Sequence, residues 1–544
     1  MQPTRPTTTE SASAALAGAP ADERTIPRLA LAAAERFGEA SALEDGEKRL
    51  SFRDFWQEGL RAARAFCAAG VRPGDRVALW APNLWEWPVA ALGLHAAGGV
   101  LVPLNTRMKG AEAGYVLRKS GARILVTLRG FLGTDYPALL SGEALPDLEL
   151  TVVLRGEPGA ETAWDAFLAA GANVSENEAR ARALAVSPDD LSDVLFTSGT
   201  TGKPKGVMTC HGQNLRAFAA WSEVVGLRAG DRYLCVNPFF HAFGYKSGWL
   251  ASLMRGATLL PQAVFDAQAV LERIGRDRIS MLPGPPTLYQ TILAHPERAR
   301  FDLSSLRLAV TGAAAIPVEL VRRMRDELGF ETVVTGYGLT EACGIATMCR
   351  AGDDAETIAT TSGRAIPGVE VICADRDGKE TARGEPGEVL VRGYNVMRGY
   401  FDDEAATREA IDADGWLHTG DIGVMDERGN LRITDRIKDM FITGGFNCYP
   451  AEIEGMLYGS GLCAQVAVIG VPDERQGEVG MAFVVPAPGR ATTPEAVVAW
   501  CREHMANYKV PRRVEIVDAL PTNASGKVTK FSLRERARDA QSRS

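Results

Sequence analysis

From about residue 25 to 350, short apolar runs alternate with longer segments of helical spacing. Arg76–Trp80 (RVALW) reads as a strand, Trp85–Ala97 as a helix and Val100–Pro103 as the next strand. Further strands are expected at Val194–Thr197, Tyr233–Val236, Ile279–Leu282, Leu306–Val310 and Thr332–Thr335, with helices between them such as Pro317–Leu328. This alternation predicts an α/β class, with parallel-rich sheets covered by helices. Near Gly368 the texture changes. Val369–Ala374, Gly387–Arg392 and Gly420–Thr434 are strand-rich, and IGVMDERGNLRIT reads as a hairpin turning at Glu427–Asn430. Beyond Ile437 the pattern predicts a small α+β domain of about 100 residues. Its elements are a helix after Pro450, strands Gln465–Val471 and Met481–Val485, a helix Pro494–His504 and a strand Val514–Val517. The expected organisation is a disordered tail at 1–24, a large N-terminal domain at 25–436 with a β subdomain at 368–436, and a mobile C-terminal domain at 437–544. The short charged join Asp435–Lys438 suits a hinge.

Composition narrows the classes. The chain has 544 residues, 46% hydrophobic and 24% charged, with a formal net charge of -8. That balance fits a soluble globular protein and lacks the basic footprint of a nucleic-acid binder. No apolar run reaches the roughly 18 residues of a spanning helix, so no integral membrane segment is expected. The first residues are rich in Thr, Ser, Ala and Pro, without the apolar centre of a secretory signal. Nine cysteines, an odd number with no CxxC pair, suit neither a disulfide framework nor a zinc site. Free thiols in the cytoplasm, with no structural metal, are expected.

The densest local signal is Thr197–Gly206, TSGTTGKPKG, directly after an apolar strand. Glycines let backbone N–H groups turn toward an anion, while hydroxyls and lysines add donors. A polyphosphate needs such a cradle. It is not a Walker A loop, because Lys203 is followed by Pro204 rather than Ser or Thr, and strand-like GVMT follows instead of a helix.

This loop resembles the signature of the adenylate-forming superfamily: acyl-CoA synthetases, luciferases of the firefly type and peptide-synthetase adenylation domains. The resemblance implies that the 25–436 domain binds AMP. It also implies that Thr197, Ser198, Gly199, Thr200, Thr201, Gly202, Lys203 and Lys205 hold the phosphates of ATP. Thr335–Glu341, TGYGLTE, is similar to the family's second nucleotide motif. There Tyr337 would lie against adenine, Thr340 would bind the α-phosphate, and Glu341, with Thr200, would hold Mg2+. Gly312, Ala313 and Ala314 of TGAAAIP resemble the segment that lets adenine approach the backbone. Asp421 of WLHTGD would take the ribose hydroxyls, since a carboxylate accepts two hydroxyl bonds. Arg436 of ITDRIKDM would also reach the ribose. Lys438 falls at the family's hinge position. Gly444 and Gly445 would border the pantetheine tunnel of coenzyme A. Lys527 of PTNASGK matches the lysine used in adenylation. His241 of NPFFHAFGYKSG falls where the family gates the acyl pocket; it joins Lys527, Thr340 and Glu341 in the expected catalytic set, without an acid–base role.

The implied activity is acid + ATP + CoA to acyl-CoA + AMP + diphosphate through acyl-AMP, with ATP, Mg2+ and coenzyme A required. The acid pocket is expected from Phe240, His241, Phe243, Tyr245, Gly338, Gly344 and residues near Pro283–Pro286, whose aromatic and small walls suit an apolar acid. FFHAFGYKSG lacks the Asp that amino-acid-activating relatives use, and no carrier domain follows Lys527. Both count against a peptide-synthetase module. NPFFHAFGYKSG, LPGPPTLYQ, TMCRAGDDAETIATTSGR and ITDRIKDMFITGGFNCYPAEIE resemble bacterial ligases acting on the propionate side chain of a two-ring steroid remnant. A medium- or long-chain fatty acid is the main competitor. An acyl-AMP ligase that loads another acceptor, a luciferase-like enzyme and a non-enzymatic nucleotide binder stay open as alternatives. The partners are a small carboxylic acid and coenzyme A, with a homodimer as a candidate assembly.

Overall fold

The computed structural model describes residues 24–542 except 198–203, 313–315, 437–438, 444–445, 474, 506 and 523–527. The expected tail at 1–24 lies outside the described residues up to 23. Two compact units emerge: one comprises the chain through Val371 plus Val391–Leu417, the other Ile372–Leu390 plus the chain from His418. The residues expected as a β subdomain are divided between the two: 372–390 and 418–436 fall in the second unit, 368–371 and 391–417 in the first.

In the first unit, an eight-stranded sheet runs in the order Gly399–Tyr400, Lys205–Cys210, Leu191–Thr197, Val100–Pro103, Arg76–Leu79, Ile124–Thr127, Leu150–Val153, Thr162–Ala163. Its strands from Leu191–Thr197 onward are parallel. The central strands VLVP and ILVT are buried at every position, because helices cover both faces. Arg232–Cys235 and Thr258–Pro261 pair in parallel elsewhere, as do Leu308–Thr311 and Thr332–Tyr337.

One expected strand is corrected. Ile279–Leu282 forms no ladder of its own; Met281 alone bridges Tyr233 and Leu308. The chain there is extended between two strands, but Pro283, Pro285 and Pro286 lack the N–H groups a ladder requires. A second feature was not foreseen. Phe243–Leu250, within the aromatic segment, is a π-helix, a rare form that recurs at functional sites.

That π-helix packs onto a buried histidine pair. His95 Nε2 lies 3.1 Å from the Tyr245 hydroxyl, and the His95 and His211 rings meet edge-on at 5.1 Å. Burial pushes the His95 imidazole down to about 4, against the opposing pull of Asp193 and a Gly99 backbone contact. His211 is also held well below its ordinary range, by burial and then by His95. The unfolded chain therefore binds more protons than the fold below about pH 6.5, so stability falls as pH drops from there toward about 4. His95 accounts for an order of about 3 kcal/mol of that loss. Thermal midpoints between pH 7 and 4 should therefore fall more steeply in wild type than in His95→Phe. Equal slopes would refute the assignment.

In the second unit, Cys463–Asp473 pairs antiparallel with Gly477–Pro486, which pairs in parallel with Arg513–Ile516. Val466 and Val468 face one buried cluster, Ala467, Ile469 and Val471 another. Both faces are covered, which explains the unbroken apolar run VAVIGV at 466–471. Leu417–Met425 and Leu431–Arg436 form the expected hairpin. Among the described residues, no helix is long and apolar enough to cross a membrane.

Candidate active site

The phosphate-loop segment joins two antiparallel strands. Leu191–Thr197 pairs with Lys205–Cys210, and Thr197 stands opposite Lys205. A hairpin, not a strand-to-helix turn, therefore carries it, in keeping with the absence of a Walker A pattern. Ser198, Gly199, Thr200, Thr201, Gly202 and Lys203 lie outside the described residues.

On the next strand, Gly399–Tyr400, the ladder continues through Val207 and Met208. The strand places Tyr400 between two expected site residues. Its hydroxyl donates to Glu341 Oε1 at 3.0 Å, and Lys205 Nζ sits 4.8 Å from its ring centroid. Burial, and then Glu341, push the Tyr400 hydroxyl above its ordinary range, so it stays a proton donor. Sequence reasoning missed Tyr400: a tyrosine beside Phe401 in RGYF looks like sheet packing.

The turn bearing Thr340 and Glu341 folds tightly back. Thr340–Ala342 forms one 3-10 turn, closed by Cys343 at φ +54° and Gly344 at φ +97°. A Cβ on Gly338 would stand 2.2 Å from the Gly344 carbonyl oxygen, so only glycine fits. Met397 N–H donates to the Glu341 carbonyl at 2.8 Å, fixing the backbone below the carboxylate. Tyr337 ends the strand Thr332–Tyr337, half-buried. Gly312 follows the parallel strand Leu308–Thr311; a Cβ there would lie 3.5 Å from the Gly336 carbonyl oxygen. Gly312 and Tyr337 thus sit at the carboxyl ends of adjacent parallel strands, where open α/β sheets bind ligands. Ala313 and Ala314 lie outside the described residues.

The acyl segment is only partly as expected. His241 is exposed, and its Nδ1 accepts from the Phe243 N–H at 3.3 Å. Phe240 and Phe243 are half-buried. Tyr245 is fully buried, stacked on Trp249 at 5.6 Å and against Trp87 at 5.7 Å, so it belongs to the core beneath the segment.

In the second unit, Asp421 and Arg436 face each other across the hairpin, with Arg436 Nε 2.8 Å from Asp421 Oδ1. The Asp421 side chain is 5% exposed and that of Arg436 49%. The neighbouring Asp435 accepts from the Arg436 and Ala451 N–H groups, while burial raises its carboxyl to about 6. Lys438, Gly444, Gly445 and Lys527 lie outside the described residues.

These groups fit the implied ligands. Mg2+ bound to a nucleotide takes one or two carboxylates plus phosphate oxygens, rather than an all-protein cage. Glu341 offers one carboxylate, oriented by Tyr400 beside the Lys205 cation. Among the described residues, no cluster of three or more His, Cys, Asp or Glu could hold a metal alone. Removing the Tyr400 hydroxyl should loosen Glu341 by about 1–2 kcal/mol, roughly tenfold. Tyr400→Phe should therefore raise the Mg2+ concentration for half-maximal rate about tenfold; an unchanged Mg2+ dependence would refute the contact's role.

Known proteins agree with this chemistry. The family described as AMP-binding enzyme matches residues 31–401, and the AMP-binding enzyme C-terminal domain matches 452–527. A 3-[(3aS,4S,7aS)-7a-methyl-1,5-dioxo-octahydro-1H-inden-4-yl]propanoyl:CoA ligase of Rhodococcus jostii is 52% identical, covering 94% of this chain and 98% of the relative. The ligase of that name from Mycobacterium tuberculosis is also 52% identical, covering 94% and 99%. The crystal structure of the anthranilate CoA ligase AuaEII in complex with anthranoyl-AMP superposes with a TM-score of 0.82 at 28% identity, covering 97% of this chain and 99% of that one. The chain belongs to the AMP-binding enzyme family, among its acyl-CoA-forming ligases that use ATP, Mg2+ and coenzyme A.

Proposed function

We propose that the acid is the propanoate side chain of a fused two-ring diketone, activated as acyl-AMP and passed to coenzyme A. The 52% identity to two ligases named for that acid, spanning nearly both full lengths, carries this reading. The aromatic segment Phe240–Phe243 supports an apolar ring-bearing acid. Medium- and long-chain fatty acids are the competitors.

In the first half-reaction the carboxylate meets the α-phosphate of Mg-ATP. Two anions must approach in line, so charge stabilisation and positioning dominate. Glu341 and Thr200 would hold Mg2+, which would supply neutralisation of the phosphate charge. The 197–205 hairpin donates to the phosphates, Thr340 binds the α-phosphate, and Lys527 supplies a further cation. Gly312–Ala314 and Tyr337 hold adenine, while Asp421 and Arg436 take the ribose. His241 gates the acid's entry. In the second half-reaction the thiol attacks the acyl carbonyl. We assign the functional boundary to 436/437, with 437–544 turning about Lys438 to exchange Lys527 for Gly444 and Gly445. Action in the cytoplasm is supported by nine free cysteines, eight of them buried.

The test is pyrophosphate release over a panel of acids: the two-ring propanoate, octanoate, palmitate and ferulate, each with and without coenzyme A. The highest kcat/KM is expected for the ring propanoate, with CoA-dependent turnover. A fatty acid turned over faster would overturn the substrate assignment. Transfer to another acceptor without coenzyme A would overturn the acceptor.

A further inference from the structure

A fully buried ion pair joins the acyl segment to the two strands that flank the phosphate loop. Lys246, on the π-helix of the acyl segment, and Asp193, on the strand entering the phosphate loop, have side chains 0% exposed, with Nζ 3.3 Å from Oδ1. Thr209, on the strand leaving that loop, links them. Its hydroxyl donates to Asp193 Oδ1 at 2.7 Å and accepts from Lys246 Nζ at 3.2 Å. The other carboxylate oxygen accepts from Ser192 Oγ and Asn214 Nδ2, both at 2.7 Å. The Cys343 thiol, two residues past Glu341, feels both charges of the pair.

Burying two charges is expensive, and a well-packed apolar pair usually serves stability as well or better. Stability alone therefore does not account for an ion pair here. Its placement does. The phosphate-loop hairpin is held at Asp193 and Thr209, and the acyl segment at Lys246. A π-helix closes each hydrogen bond one residue further along than an α-helix does, which sets the direction in which Lys246 projects.

We propose that Lys246, Asp193 and Thr209 form a positioning network that holds the acyl segment in register with the phosphate hairpin, so that the acid carboxylate meets the α-phosphate in line. None of the three touches substrate. The proposal rests on the acid-activating chemistry but not on the identity of the acid, so any acid the wild type turns over will serve. Wild-type acyl-AMP formation with that acid checks the chemistry separately.

Two variants test it. Asp193→Asn/Lys246→Met removes both charges together, which avoids an unpaired buried ion. Thr209→Val removes only the bridging hydroxyl. For each, kcat for acyl-AMP formation is measured per active site, with sites counted by single-turnover burst, alongside KM for Mg-ATP and for the acid. Misalignment of two intact half-sites should lower kcat about tenfold or more in the double variant and several-fold in Thr209→Val, with both KM values within about twofold. Lys246→Arg in the wild-type background, which keeps the charge, should retain more kcat than the double variant. A merely structural role would lower the number of active sites and leave kcat per site unchanged. That result in either folded variant would overturn the proposal. Should the double variant fail to fold, Thr209→Val alone decides.

Discussion

Lys527→Ala is expected to slow acyl-AMP formation by roughly 100- to 1,000-fold while leaving thioester formation from supplied acyl-AMP nearly intact. The physical reason is charge. A carboxylate and a triphosphate repel each other, and one cation aimed at the oxygens where negative charge gathers is worth about 3–4 kcal/mol in a preorganised site. Thioester formation joins a thiol to a mixed anhydride and breaks it to release AMP, so it does not need that cation to bring two anions together. The residues flanking Lys527 are tied to each other, since Thr522 bridges Val528 and the Thr529 N–H donates to the Pro521 carbonyl at 2.9 Å. Pyrophosphate exchange measures the first half-reaction, and thiol-dependent AMP release from synthetic acyl-AMP measures the second. An equal fall in both would remove Lys527 from adenylation.

Glu341→Gln should be nearly as damaging, lowering kcat/KM for Mg-ATP about 100-fold, or about 2.7 kcal/mol. Glutamine keeps the shape and can still accept from the Tyr400 hydroxyl, so the turn Thr340–Ala342 should survive. What disappears is the negative charge that a hard divalent cation selects. The loss should be partly recovered by raising Mg2+, because a weaker site fills at higher concentration. Titration of rate against Mg2+ at saturating acid checks this. A variant with wild-type rates at low Mg2+ would show that Glu341 is not the metal carboxylate.

Much of the fold was legible because its signals are local. Alternation of short apolar runs with helical spacing marked the parallel sheets, and the boundaries of Val100–Pro103, Val369–Ala374 and Pro494–His504 agree with the observed elements. The Ile279–Leu282 strand was misread because its side chains favour a strand, whereas prolines just beyond it withhold the ladder. The π-helix at Phe243–Leu250 left no mark in the pattern, since its apolar residues are buried all round and show no preferred face.

The site divides in the same manner. By itself the order of residues determined the family and its overall reaction, through motifs each about ten residues long or less, and it singled out candidates for the site: the glycines and hydroxyls after a strand, the carboxylate in TGYGLTE and the lysine in PTNASGK. Only the tertiary structure decided what supports them. Tyr400 reaches Glu341 across 59 positions, and Lys246 reaches Asp193 across 53, because a strand, a turn and a helix far apart in the chain become neighbours in space. Spacing along a chain encodes backbone conformation, through the periods of helix and strand. Contacts between distant segments depend on how those elements stack, and the burial that makes an ion pair or a tyrosine hydroxyl consequential exists only once they have.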